Sequence, residues 1–82
     1  MNADIDRDLW SATDLAHMAR ESHAAGDMTK ALDEAALALN AARRAVDALV
    51  AEARNTGTPW QTIGDALGMT RQAAHEKYAH RI

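Results

Sequence analysis

From Met28 to Ala53 the chain places an apolar residue at alternating four- and three-residue steps: Met28, Leu32, Ala35, Leu39, Ala42, Val46, Leu49 and Ala53. A repeat of about 3.5 residues brings side chains back to the same side of an α-helix, so this run predicts one long helix with a seam for another helix. A strand would scatter the same residues over both of its faces. No other stretch constrains the fold as tightly, because a helix of about 28 residues is a rod of roughly 40 Å. The short segments that follow are too small to cover all of it. Twenty alanines, a single proline and no phenylalanine agree with a helical chain.

Before the rod, Asp4 or Asp6 can cap a first helix running to about Ala25, with Ile5, Leu9, Ala12, Ala16 and Ala19 on one side. Gly26 ends that helix and Asp27 restarts the chain. So tight a turn folds the first helix back as the antiparallel partner of the first half of the seam. A second line of small residues, Ala38, Ala41, Ala45 and Ala48, lies about a quarter-turn round the rod, with Leu37 at its edge. Small side chains let another backbone come close. These five residues are therefore the expected surface of a homodimer, since Leu37 has no partner within the chain in this arrangement.

Gly57 closes the rod, and "TPWQ" then carries the signals of a helix start. Thr58 reads as the cap, Pro59 as the first helical residue and Gln61 as the second half of a capping box. A short third helix from Pro59 to Leu67 follows. Gly68 supplies a left-handed turn, and Thr70 caps a fourth helix over residues 70–81. Ile63, Leu67, Met69, Ala74 and Tyr78 fall on the inner sides of this pair, and Gly64 is small enough for a close crossing. The expected fold is all-α with about four helices in a single domain: an antiparallel helical hairpin with a long second helix over residues 1–56, then a helix-turn-helix over residues 58–82.

Several function classes are excluded as expectations. Without cysteine there is no disulfide framework and no thiolate metal site. His17 and His23 lie six apart and His75 and His80 five apart, spacings that do not share a helix face, so neither metal nor other cofactor is expected. Ser11 and Ser22 have no identifiable base, and no glycine-rich phosphate loop is present, which argues against an enzyme. No apolar run approaches the roughly 20 residues that span a bilayer, and "MNADIDRDLW" is acidic where a signal peptide is basic. A cytoplasmic protein with no membrane contact and no evident small-molecule ligand is the expectation.

Charge gives a more specific lead. The chain holds 12 acidic and 9 basic side chains, a balance that argues against nucleic acid. Residues 1–40, however, carry three basic and eight acidic groups, and residues 41–82 six basic and four acidic. Attraction to phosphate is local, screened over about 10 Å at moderate salt, so the carboxyl-terminal half can meet a polyanion beside an acidic amino-terminal half.

The segment "WQTIGDALGMTRQA" resembles the helix-turn-helix of bacterial and phage transcription regulators, most closely the sigma-factor region 4-like variety written W-x-x-I-G-x-A-L-G-x-[ST]-R-Q-A. Trp60, Ile63, Gly64, Ala66, Leu67, Gly68, Thr70, Arg71, Gln72 and Ala73 carry the resemblance, which extends over residues 60–78, about a quarter of the chain. It implies DNA binding, with Thr70, Arg71, Gln72, His75 and Glu76 at the turn and on the outer face of the second helix reading bases. Many members place an apolar residue where Lys77 stands. Here that anchor has moved to Tyr78.

Side-chain chemistry points the same way. Arg71 offers a planar fork for the two major-groove acceptors of guanine, Gln72 can pair likewise with adenine, and Glu76 can accept from a cytosine amine. Lys77 and Arg81, together with the amide-rich start of the third helix at Trp60 and Gln61, are placed to hold phosphates. The expected function is sequence-specific binding of double-stranded DNA by a dimeric, repressor-like transcription regulator of a bacterium or phage. The alternative is a protein-interaction module whose acidic hairpin docks on a partner such as the transcription machinery. Steep salt dependence of duplex binding belongs only to the first.

Overall fold

The computed structural model describes residues 3–81, without the side chains of Ala3 and Arg81. Four α-helices follow one another: α1 (Ala3–Ala24), α2 (Met28–Asn55), α3 (Trp60–Leu67) and α4 (Arg71–Tyr78), closed by a 3-10 turn at Ala79–Arg81. No strand occurs among the described residues. The fold is all-α, as the periodicity predicts, with long α1 and α2 packed on each other ahead of two short helices. The chain divides into two compact units, Met1–Ala45 and Val46–Ile82, and α2 contributes to both.

The first unit is the antiparallel hairpin of α1 with the amino-terminal part of α2. Gly26 turns the chain at φ 82°, where its N–H donates to the His23 carbonyl at 3.0 Å and that of Asp27 to the Ser22 carbonyl at 2.9 Å. These bonds satisfy the last carbonyls of α1. The Asp27 carboxylate accepts from the Lys30 amide at 3.0 Å and so caps α2.

Which sides of the two helices meet is not what hydropathy predicts. Ile5, Ala41 and Ala45 are buried, with only 2%, 0% and 0% of their surface exposed. Ala38 and Ala48 are half-buried. Within the hairpin, the alanine line expected to face a second chain is therefore turned inward at Ala41 and Ala45, which have no surface left to offer. Met28, Leu32 and Leu39, expected against the first helix, are 60%, 71% and 52% exposed. α1 is turned to match: Ile5, Ala12, Leu15, Ala19 and Ser22 are buried or half-buried, whereas Leu9 and Ala16 are exposed.

The buried side of α2 carries the small residues Ala41 and Ala45, and small side chains on one helix let another approach it. The same register seats a polar pair in the interior. Ser22 Oγ donates to Glu34 Oε1 at 2.5 Å, with both residues buried. Asp8 meets the Arg44 guanidinium at 3.4 Å on the other end of the hairpin.

The second unit has a core of Val50, Ile63, Ala74 and Tyr78, with Val46, Ala53, Trp60, Leu67 and Met69 packed around it. The far end of the heptad seam, at Val46 and Ala53, is thus covered by α3 and α4. Gly68 takes φ 70°, and its turn is closed by the Met69 amide donating to the Gly64 carbonyl at 2.9 Å. Thr70 caps α4, its hydroxyl oxygen accepting from the Ala73 amide at 3.0 Å.

The expected capping box at the start of α3 does not form. Pro59 is itself the cap residue, with φ −66° and ψ 151°. That puts Thr62, not Gln61, at the third helical position, and Gln61 Nε2 donates forward to Asp65 Oδ1 at 3.0 Å.

Candidate nucleic-acid interface

The free edge of α4 follows from what its other edge must do. Ala74 and Tyr78, four residues apart, are buried in the core of the second unit. Arg71, Gln72, His75, Glu76 and Lys77 are accordingly exposed. The close seating of the helix pair depends on Gly64, where a Cβ would lie 2.7 Å from the Met69 carbonyl oxygen and 3.1 Å from two backbone atoms of Thr70. The turn backbone, more than α4 itself, is what crosses the glycine.

Arg71, Gln72 and His75 open onto a cleft of about 490 Å³ whose other wall is Arg54 and Trp60. Trp60 organises it. The His75 ring stands edge-on to the indole, with centroids 5.4 Å apart and planes at 83°, and the Arg54 guanidinium lies 5.0 Å from the ring centroid. Arg54 Nη1 also donates to the Thr58 carbonyl at 2.8 Å. A cation–π contact and a charge-assisted hydrogen bond together fix this side chain, with further N–H groups left to donate. Locally the sequence ensures the arrangement. Arg54 occupies the last turn of α2, where a cation suits the helix dipole, and Gly57 at φ 85° reverses the chain so that Trp60 returns beside it.

A neighbouring hollow of about 540 Å³ runs over the turn, lined by Gln61, Gly64, Asp65, Gly68, Met69, Thr70 and Arg71. Arg71 borders both depressions. Here the Asp65 carboxylate, paired with Gln61, places negative charge beside the start of α3 and weakens that end as an anion seat.

Of the nine residues expected to contact DNA, Trp60, Arg71, Gln72 and His75 come together in the cleft, and Gln61 and Thr70 border the turn hollow. Glu76 Oε1 accepts from Gln72 Nε2 at 3.2 Å, so the amide that would read adenine is held by its own helix. Lys77 Nζ lies 5.4 Å from the centre of the Tyr78 ring. The Arg81 side chain lies outside the described residues. Arg54 is the member that sequence reading misses. The signal available for it was an arginine six residues before a tryptophan, across a glycine turn.

Chemically, the cleft presents two guanidinium groups, an imidazole, an indole and an amide, and none of its five lining residues is acidic. Such a set takes an anion with a flat or apolar neighbour. Among the described residues no group of three or more histidines, cysteines or carboxylates is placed to hold a metal ion, and no helix is long and apolar enough to cross a membrane. Comparison with protein-family models, with curated proteins and with solved structures gives no match for this chain.

Proposed function

We propose that the second unit binds double-stranded DNA, with the exposed edge of α4 in the major groove and the Arg54–Trp60 wall against the sugar-phosphate backbone. The observation that carries this reading is the cleft: Arg71, Gln72 and His75 on the free edge of α4 face a guanidinium that an indole and a backbone carbonyl hold in place. Arg71 sits in the first turn of α4, the end of a recognition helix that reaches base edges. Its fork suits the O6 and N7 acceptors of guanine, and Gln72, on leaving Glu76, can pair with adenine. Arg54 carries no sequence information and sets position by holding a phosphate. In the cell such binding serves transcriptional control, repression being the simplest form, since a protein seated on a promoter excludes polymerase.

The test is selection of bound duplexes from a random pool, followed by affinity measurements with the native chain and with Arg71→Ala. The native chain is expected to enrich one short sequence, and Arg71→Ala to lose about 1–3 kcal/mol at one base position while relaxing selectivity there. No duplex affinity at low salt, or unchanged preference in the variant, overturns the assignment. The first of those results favours docking on a protein partner through the acidic hairpin.

A further inference from the structure

Several large apolar side chains of the hairpin stand exposed while Ala41 and Ala45 are buried. Along α2, Met28, Leu32 and Leu39 are 60%, 71% and 52% exposed, and on α1 Leu9 is 45% exposed. These four share one face, whereas Trp10, Met18 and Leu37, also exposed, stand on other sides of the hairpin. Met28, Leu32, Ala35 and Leu39 form one line on α2, while Leu9, Ala16, Arg20 and His23 share a side of α1. A groove of about 400 Å³ joins the two lines, walled by Ala19, Arg20 and His23 from α1 and by Met28, Ala31, Leu32 and Ala35 from α2. From Met28 to Ala42 this flank of α2 has no charged side chain, and Lys30 and Asp33 lie on the other side of the helix.

We infer that a second copy of this chain covers this face, pairing the hairpins through Leu9, Met28, Leu32 and Leu39 and not through the alanine line. The inference rests on the hairpin alone and gives the DNA-binding reading its second recognition helix. Size is the first argument. The exposed apolar side chains present on the order of 500 Å², at the top of what a monomer leaves bare. Even with the stems of Arg20 and His23 at the rim, the face is smaller than the roughly 800 Å² that each partner gives to a standard interface, so the pairing expected of it is a weak one.

Fit to itself is the second argument. Leu32, Ala35, Ala36 and Leu39 make a diamond on α2, with leucines at its two ends and alanines at its waist, and both alanines are exposed. Small residues at a crossing point let two helices approach, and the flanking leucines then pack around the crossing. A surface of this form complements its own copy across a two-fold axis. Charge agrees: Asp6, Thr13 and Arg20 stand at seven-residue steps along the adjoining edge of α1, acid at one end and base at the other. An antiparallel copy offers a carboxylate towards each Arg20.

The experiment is light-scattering sizing of the full chain without DNA, alongside helicity by circular dichroism. The native chain is expected at twice its single-chain mass, and Leu32→Glu combined with Leu39→Glu at half the native value with helicity retained. Leu37→Glu, exposed but off this face, is expected to remain at the native mass. A native chain that sizes as a single copy at about 100 μM, well above the micromolar Kd expected of a modest interface, overturns the inference. So does a Leu37→Glu variant that dissociates while the double variant does not.

Should the double variant lose helicity, cysteine variants decide the matter, since the native chain has none. Ala36→Cys, at the waist, is expected to form a disulfide-linked pair under mild oxidation and Asp33→Cys to stay monomeric on a reducing-agent-free gel. Equal cross-linking of both overturns the inference. All of these readings are taken without duplex, so a failed interface leaves the DNA assignment standing, and a failed DNA assignment leaves the interface.

Discussion

Arg54 has two partners inside its own unit, the Thr58 carbonyl and the Trp60 ring, and that is why a substitution there has separable effects. Removing the guanidinium releases the loop that follows α2 and also deletes a cation from the cleft. The first effect is modest, because a half-buried side chain in one charge-assisted hydrogen bond contributes about 1.5–3 kcal/mol at most. The second is electrostatic and independent of DNA sequence. Arg54→Ala is therefore expected to weaken binding to specific and random duplexes by a similar factor and to reduce the slope of log affinity against log salt by about one, read from titrations at several salt concentrations. Arg71→Ala has a different signature, lost selectivity at one base position. If Arg54→Ala changes sequence preference and leaves the salt slope intact, the guanidinium reads a base and not a phosphate. Sequence alone hides Arg54 because a basic residue in the last turn of a helix already has an explanation in the helix dipole.

At the level of elements, most boundaries and the inner faces of α3 and α4 are legible in the sequence, and the inner faces of α1 and α2 are not. Gly26, Gly57 and Gly68 mark the three turns, each at positive φ, and Asp27 and Thr70 cap the helices that follow two of them. These signals are local, so the sequence states them directly. The inner face of α2 is a tertiary choice. Hydropathy ranks Leu32 and Leu39 above Ala41 and Ala45, yet close approach of two backbones favours the alanines, and the buried Ser22–Glu34 pair fixes that register. Burying Glu34 costs free energy, and its hydrogen bond with Ser22 offsets part of that cost. The capping box failed for a related reason, since the backbone at Pro59 shifts the helix start by one residue and leaves Gln61 out of reach of Thr58. The α3–α4 turn gives the sharpest prediction at this scale. Gly64→Ala introduces a methyl group 2.7 Å from a backbone carbonyl that cannot swing aside, which places it among overpacking substitutions costing about 1–3 kcal/mol. Thermal unfolding is expected to show a lower midpoint than Gly68→Ala, where the added Cβ meets nothing within 4 Å and only the positive φ is strained. The reverse order contradicts the close crossing.

On the scale of the whole molecule, charge and oligomeric state bear on the same question. Residues 1–45 hold eight acidic and five basic side chains, and residues 46–82 four of each. If the second unit binds DNA as proposed, a single chain offers it a unit with equal numbers of acidic and basic side chains, attached to an acidic one, and therefore few phosphate contacts. Affinity near the non-specific range, about 10⁻⁴–10⁻⁶ M at physiological salt, is what such a unit supplies. A second recognition helix changes this without any new contact, because once one is bound the other acts at an effective concentration that reaches the millimolar range for short connections. Against a micromolar half-site that amounts to a gain of about 10²–10³ on a duplex with two correctly spaced half-sites. Leu32→Glu is expected to remove that gain and to leave affinity for a single half-site unchanged, measured on duplexes that differ only in the second half-site across a series of spacings. Equal losses on both duplexes make Leu32 part of the fold that supports α4. Equal affinity of the native chain for one and two half-sites at every spacing means that the molecule reads DNA one copy at a time.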